Sequence, residues 1–428
     1  MREVYLDCAA TTPLDPRVKA AMEPYWDVSY GNPSALYRQG RLAKEAVDQA
    51  RERVARILHC RADEIIFTAG GTEADNIAIF GATAMFPFDA AQGKRHLITT
   101  AIEHHAGLRS FEALGREGWE VTYLPVSEDG LVGPAAVRAA IRPDTLLVSV
   151  MYANNEVGTI QPLAEIGDII KRVRKERGAA GNQLPIYFHS DASQAAGFLD
   201  LDLSKLGVDL LSLNGGKIYG PKGVGALFVR SGVRLKPIFH GGGQEKNLRS
   251  GTENIPGIVG FAKAIEIAEA EREAESVRLT ELRDYLISRL TTEIPKTVLN
   301  GHPVERLPNN VNVSVLDIEG EAVILYLDAK GIAISTGSAC TSTTLDPSHV
   351  ILALGKPYEY AHSSLRFTLG RATTKEDLDY VMEVFPPIVE KLRVISPVKM
   401  EVGQTTISHP EAFAGQGAKV KVGGKSYK

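Results

Sequence analysis

The stretch Ile65-Ile66-Phe67-Thr68-Ala69-Gly70-Gly71-Thr72-Glu73-Ala74-Asp75-Asn76 sets the fold class. Its first four residues are apolar or β-branched without polar alternation, which predicts a short strand covered on both faces. The glycine pair then turns the chain, and the residues behind it open a helical stretch. Moving outward, further short runs follow: His96-Leu97-Ile98-Thr99, Glu120-Val121-Thr122-Tyr123-Leu124, Leu146-Leu147-Val148-Ser149-Val150, Ile186-Tyr187-Phe188 and Asp209-Leu210-Leu211-Ser212-Leu213. Amphipathic stretches separate them up to about residue 230. This alternation predicts strands joined by crossover helices, an α/β layer structure. In such sheets ligands lie beyond the carboxyl ends of the strands, so the residues just after each strand are the first candidates for function.

From Ala262 to about Ile294 the chain becomes charged, with Leu279, Leu282, Leu286 and Leu290 recurring at helical spacing, and a domain boundary is expected there. Beyond it, Asn312-Val313-Ser314-Val315-Leu316, a helix around Glu321 to Ala329, Leu365-Arg366-Phe367-Thr368-Leu369 and a helix from near Lys375 predict a smaller α+β domain. The expected organisation is residues 1–15 as an N-terminal segment packing with the small domain, 16–262 as the large domain, 263–397 as the small domain, and 398–428 as a mobile, locally basic tail. The 428 residues suit two or three domains with a sizeable core.

Composition narrows the function classes. Hydrophobic residues at 44% and charged residues at 23% are ordinary for a globular chain, and a net charge of −4 with scattered Lys and Arg gives no electrostatic reason to expect nucleic acid. No apolar run reaches membrane-spanning length, and the acidic, unpatterned start argues against a targeting signal, so the cytoplasm is the expected compartment. Cys8, Cys60 and Cys340 form no CxxC pair and no disulfide framework. Cys60 reads as a small buried hydrophobe, and Cys8 has no assigned role.

The strand ends carry the chemistry. Free N–H groups after Gly70-Gly71, with the Thr72 hydroxyl, could hold a phosphate; a glycine turn with Thr72 as a simple helix cap is the alternative. Glu103-His104-His105 lacks further ligands at metal spacing, so a histidine lining a cleft or packing in the core is expected rather than a metal site. Ala153-Asn154-Asn155-Glu156-Val157-Gly158 crowds polar groups at a strand terminus. His189-Ser190-Asp191-Ala192-Ser193-Gln194 places an acid there, with an amide three residues on. Asn214-Gly215-Gly216-Lys217 places a lysine in a glycine-rich loop, where a desolvated amine becomes a Schiff-base nucleophile. Phosphate cradle, ring neighbour, carboxylate and lysine together match the needs of pyridoxal 5'-phosphate.

These motifs, with Lys217-Ile218-Tyr219-Gly220-Pro221-Lys222-Gly223, Arg249-Ser250-Gly251-Thr252 and Ser338-Ala339-Cys340, occur in the order seen in cysteine desulfurases. The chain resembles the NifS and IscS type from Leu6-Asp7-Cys8-Ala9-Ala10-Thr11-Thr12-Pro13 to about Pro397. The resemblance implies a fold-type I pyridoxal-phosphate enzyme, with a large domain built on a mostly parallel seven-stranded sheet and a smaller α+β domain, acting as a homodimer on L-cysteine. It implies that Lys217 holds the cofactor and moves the Cα proton, and that Asp191 pairs with the ring nitrogen. His104 would stack on the ring and assist proton transfer, and Gln194 would bond the phenolic oxygen. Gly71, Thr72, Asn214 and, across the dimer interface, Thr252 would bind phosphate. Asn155 and Arg366 would hold the substrate carboxylate.

Two features qualify the match. The family usually has Ser-x-His-Lys before the cofactor lysine, whereas this chain has Asn214-Gly215-Gly216-Lys217, so the customary histidine is missing at Gly216. Cys340 lies in a polar segment without helical or strand period, expected to be a loop from which a thiolate attacks the substrate sulfur and becomes a persulfide. Its sulfur would pass to an acceptor such as an iron-sulfur scaffold or a tRNA-thiolation protein. An aminotransferase or lyase of the same fold, and a non-catalytic sulfur-trafficking scaffold, are the competing readings.

Overall fold

The computed structural model describes residues 2–86, 95–336, 347–397 and 399–404, with the backbone of 421–422 and 425–426. Cys340 and most of the residues expected to form the tail lie outside them. Strand β1 (Val4–Tyr5) opens the chain. A seven-stranded sheet follows: β2 (Ile65–Thr68), β3 (His96–Thr100), β4 (Glu120–Leu124), β5 (Thr145–Ser149), β6 (Tyr187–Asp191), β7 (Leu210–Asn214) and β8 (Gly225–Val229). Their spatial order is β2-β8-β7-β6-β5-β3-β4. The pairs among β3 to β7 are parallel, while β8 runs antiparallel to both β2 and β7. Gly225-Ala226-Leu227-Phe228-Val229 was not among the sequence-predicted strands. It returns directly from the lysine loop, so no crossover helix announces it.

Apolar residues on both faces explain why this sheet is covered on both sides. Along β2, Ile65 and Phe67 join one core with Val54 and Leu58, while Ile66 joins another with Ile77 and Leu97. The period of two in a strand produces that split. Each fully buried Ile or Phe contributes about 2 kcal/mol by leaving water.

The helix Ile255–Glu293 runs unbroken through the expected boundary at 262/263. Its first half packs Ile258, Phe261 and Ile265 into the large core, and its second half packs Leu279, Leu286 and Leu290 into a separate cluster. The helix changes partner between Ala268 and Leu279, along one rod with no break in the backbone. The second cluster covers an antiparallel sheet of β9 (Thr297–Leu299), β10 (Asn310–Val315), β12 (Ser335–Thr336) and β13 (Ser364–Thr368), ordered β12-β13-β10-β9. Between them β11 (Ile332–Ala333) pairs in parallel with β1. Asp7 bridges Thr368, so the N-terminal segment is sewn to this smaller unit before residues 9–12 cross to the end of β7.

Candidate active site

Lys217 closes a single 3-10 turn after β7, with Asn214 as its cap: the Asn214 Oδ1 accepts from Gly216 N at 3.0 Å. The lysine Nζ donates to the carbonyl oxygen of Ala9 at 2.8 Å and also to that of Ala10. Gln194 Nε2 donates to the same Ala9 oxygen at 3.0 Å. The amine is thus aimed inward by the N-terminal segment. It borders a cavity of about 570 Å³, lined also by Gly70, Gly71, Thr72 and Asn214.

Gly70 has φ +144, a conformation that needs glycine, and caps the helix Gly71–Met85. Thr72 therefore lies inside the first turn, and the simple-cap alternative is incorrect: the glycine turn itself makes the helix entry. At Gly71 a Cβ would come within 2.7 Å of Ser193 Oγ, so a side chain there would have to displace the serine hydroxyl. The first N–H groups of this helix are left facing the cavity, and with the helix dipole they suit an anion.

Asp191 ends β6, and its Oδ1 accepts from Ser193 N at 2.8 Å. Burial first, and the nearby Asp75 second, hold its carboxyl above the usual range. Among the described residues this carboxyl has no lysine or arginine ion-pair partner, and a protonated ring nitrogen would supply that cation. Behind it, the imidazole of His189 lies between Ser149 Oγ at 2.9 Å and Ser212 Oγ at 3.0 Å, with Asp75 Oδ1 3.5 Å from Nε2. Burial lowers His189 to about 4 and raises Asp75 to about 7.

His104 caps the helix His105–Arg116, its Nδ1 accepting from Ala106 N at 3.1 Å. An accepting Nδ1 carries no proton, so the neutral ring is the Nε2–H tautomer. Burial lowers its pKa, opposed by Asp191 and reinforced by His105 and Lys217. Those neighbours place the ring in the electrostatic field of both the acid and the lysine. Glu103, immediately before it, is buried, and its Oε1 accepts from Thr100 Oγ1 and Met151 N.

Arg366 sits on β13 at 2% exposure. Its Nη2 donates to Asp7 Oδ1 at 2.9 Å and its Nη1 to the Asn155 carbonyl oxygen at 3.0 Å, while its buried Nε has no partner among the described residues. The Asn155 contact here is through its backbone. Asn155 adjoins Glu156, whose carboxyl, raised by burial to about 7, accepts from Ser348 Oγ.

Gly71, Thr72, Asn214 and Lys217 thus share one cavity. Gln194 meets Lys217 at the Ala9 oxygen, and Asp191 reaches the cradle through Ser193. Thr252 is exposed and does not line the cavity within this chain. Cys60 is only half-buried against the core, because it follows the helix end at His59 rather than entering the strand, and burial still raises its thiol to about 12. Sequence reading gave no role to Asp7, Ala9, Ala10, Asp75 or Lys222; only the motif near residues 6–13 hinted at the first three. The described residues contain no group of three metal-ligating side chains. No helix among them is long and apolar enough to cross a membrane.

A glycine cradle at a helix start, a lysine amine, and a buried carboxylate with no ion-pair partner among the described residues fit a phosphorylated pyridine aldehyde. Fold and site together define the fold-type I architecture of pyridoxal-phosphate enzymes. The family model described as aminotransferase class-V matches residues 4–381. Among curated proteins, the chain is 49% identical over 400 residues to cysteine desulfurase IscS of Dictyoglomus turgidum, covering 94% of this chain and 98% of that one. It is 52% identical over 397 residues to cysteine desulfurase IscS of Methanosarcina thermophila, covering 93% and 94%. A solved structure described as a NifS-like protein superposes with a TM-score of 0.82 at 36% identity, covering 92% of this chain and 100% of that one. Another, described as SspA in complex with cysteine, gives 0.73 at 35% identity, covering 86% and 98%. The chain belongs to the aminotransferase class-V family.

Proposed function

We propose that this protein is a cysteine desulfurase that uses pyridoxal 5'-phosphate to convert L-cysteine to L-alanine and pass the sulfur to an acceptor protein. The observation that carries the reading is the Lys217 amine, held at the rim of the glycine cradle that Ser193 links to buried Asp191. When bound, the cofactor supplies an electron sink for the pair released at the substrate Cα. Gly71, Thr72 and Asn214 would hold its phosphate, and Asp191 its ring nitrogen. Arg366 takes the substrate carboxylate on its unpartnered Nε edge, with Asn155 beside it. Lys217 would move the proton at Cα, and His104, with its proton on Nε2, would serve as a proton donor beside it. The Cys340 thiolate attacks the sulfur of L-cysteine, so that the substrate C–S bond breaks as an S–S bond forms. The products are L-alanine, completed by a proton at Cβ, and a Cys340 persulfide.

The same reading makes the enzyme a cytoplasmic homodimer. Trp26, Val28, Tyr30, Leu36 and Tyr37 are exposed large apolar side chains that a second copy would cover, and Thr252 would reach the phosphate across that contact. An iron-sulfur scaffold or a tRNA-thiolation protein would accept the persulfide. Incubating the protein with L-cysteine and a reductant should release alanine and sulfide in equal amounts, and C340S should abolish both while sparing transamination of an ordinary amino acid. Alanine without sulfide, or neither product in cofactor-saturated protein, refutes the assignment.

A further inference from the structure

A phosphate ester carries close to two negative charges at neutral pH, and a cation beside the helix N–H groups strengthens its binding through a charge-assisted hydrogen bond. Among the described residues lining the cavity, the formally charged ones are Glu73, Lys217 and Lys222. Glu73 is an anion paired with Arg249, whose Nε lies 2.9 Å from its Oε1. Lys217 is committed to the aldehyde carbon, at the other end of the cofactor from the phosphate. Lys222 is the remaining cation.

Its placement is built by the turn. Pro221 is buried, Gly223 has φ +75, and Tyr219 is held at φ +60 with its N–H donating to Thr12 Oγ1 at 2.8 Å. Lys222 Nζ donates to the Thr12 carbonyl oxygen at 2.6 Å, which uses one of the three N–H donors of an ammonium group. Thr12 is itself fixed, its backbone N–H and hydroxyl both donating to the Gly216 oxygen, at 3.0 and 3.1 Å. The lysine stem runs beside the volume left open by Gly216: a Cβ there would meet Lys222 Cγ at 3.6 Å and Asn214 Oδ1 at 3.5 Å, both ordinary contacts. The glycine thus leaves a polar corner of the cavity with no side chain of its own, and the lysine borders it.

We propose that Lys222 is a phosphate ligand of the cofactor, supplying at this corner the positive charge that Gly216 cannot. The proposal rests on the cavity being a pyridoxal-phosphate site. Pyridoxal, identical except for the phosphate, separates the two ideas. Full-length protein stripped of cofactor is titrated with each compound, following the Schiff-base absorbance and the phosphorus resonance of the bound phosphorylated form. K222A and K222Q should weaken pyridoxal 5'-phosphate about 10-fold, the size expected for one charge-assisted hydrogen bond at an exposed rim, and leave pyridoxal within about 2-fold. K222R should stay within about 3-fold, and K222A should shift the phosphorus resonance. Unchanged affinity for the phosphorylated compound in K222A, or equal loss for both compounds, overturns the role of Lys222 while leaving the cavity assignment standing. Failure of the unsubstituted protein to form a borohydride-reducible adduct on Lys217 overturns the cavity assignment and the proposal with it.

Discussion

Glu103→Gln isolates the energetic consequence of burying an acid next to His104. Glu103 is 2% exposed, and its Oε1 accepts from Thr100 Oγ1 at 2.8 Å and from Met151 N at 2.9 Å. Burial is the main cause, with Asp191 and Asp75 adding repulsion, of a carboxyl pushed from 4.5 up to about 8. The unfolded chain releases this proton near pH 4, whereas the folded protein keeps it to about pH 8. Across that window the folded state binds more protons, so the contribution to stability is complete below the unfolded value and is lost as pH rises through the folded one. Moving the carboxyl from 4.5 to about 8, at about 1.4 kcal/mol per pH unit, amounts to on the order of 5 kcal/mol before solvent and structural relaxation reduce it. Glutamine retains the accepting oxygen and the shape but has no proton to lose. Urea unfolding followed by circular dichroism from about pH 5 to about pH 8 should show the unsubstituted protein losing roughly 2–4 kcal/mol more than the variant. Parallel pH curves, or a variant less stable than the parent at the alkaline end, would refute the reasoning.

Other substitutions test the site directly. D7N removes the charge that shares Arg366 with the substrate carboxylate, so KM for L-cysteine should fall about 3- to 10-fold while that for L-cysteinamide, which has no carboxylate, stays constant in steady-state assays. His104→Asn keeps a side-chain oxygen able to cap Ala106 N, so the urea midpoint should barely move while kcat drops about 100-fold or more. An equal fall in stability would reduce His104 to a cap. G70A forces a side chain onto φ +144 and should cost about 1–3 kcal/mol together with weaker cofactor binding, measured by melting with and without pyridoxal 5'-phosphate.

Much of the fold was legible in the sequence because its signals are local. Ile65-Ile66-Phe67-Thr68 and its counterparts are short apolar runs punctuated by glycine and polar residues, and backbone chemistry reads such runs the same way wherever they sit. The glycine pair at 70–71, the acid at 191 and the lysine at 217 were visible as residue types placed just after strands. Strand β8 escaped because five residues returning antiparallel from a loop carry no helical partner to flag them. The boundary expected at 262/263 lies within one continuous helix, because a helix can change its packing partner without interrupting its hydrogen bonds.

What the chain alone determined is therefore the list of reactive groups and the layer that carries them. Tertiary structure decided which groups face one another. Asp7 meets Arg366 across 359 positions, the Ala9 oxygen joins Lys217 to Gln194, and Asp75 is pressed against His189 at the back of Asp191. These relations depend on β1 pairing with β11 and on two sheets being brought together, events that no local pattern encodes. The pKa displacements of Asp75, Glu103, Asp191 and His189 follow from the same cause, since desolvation is a property of everything packed around a group and not of its neighbours in sequence.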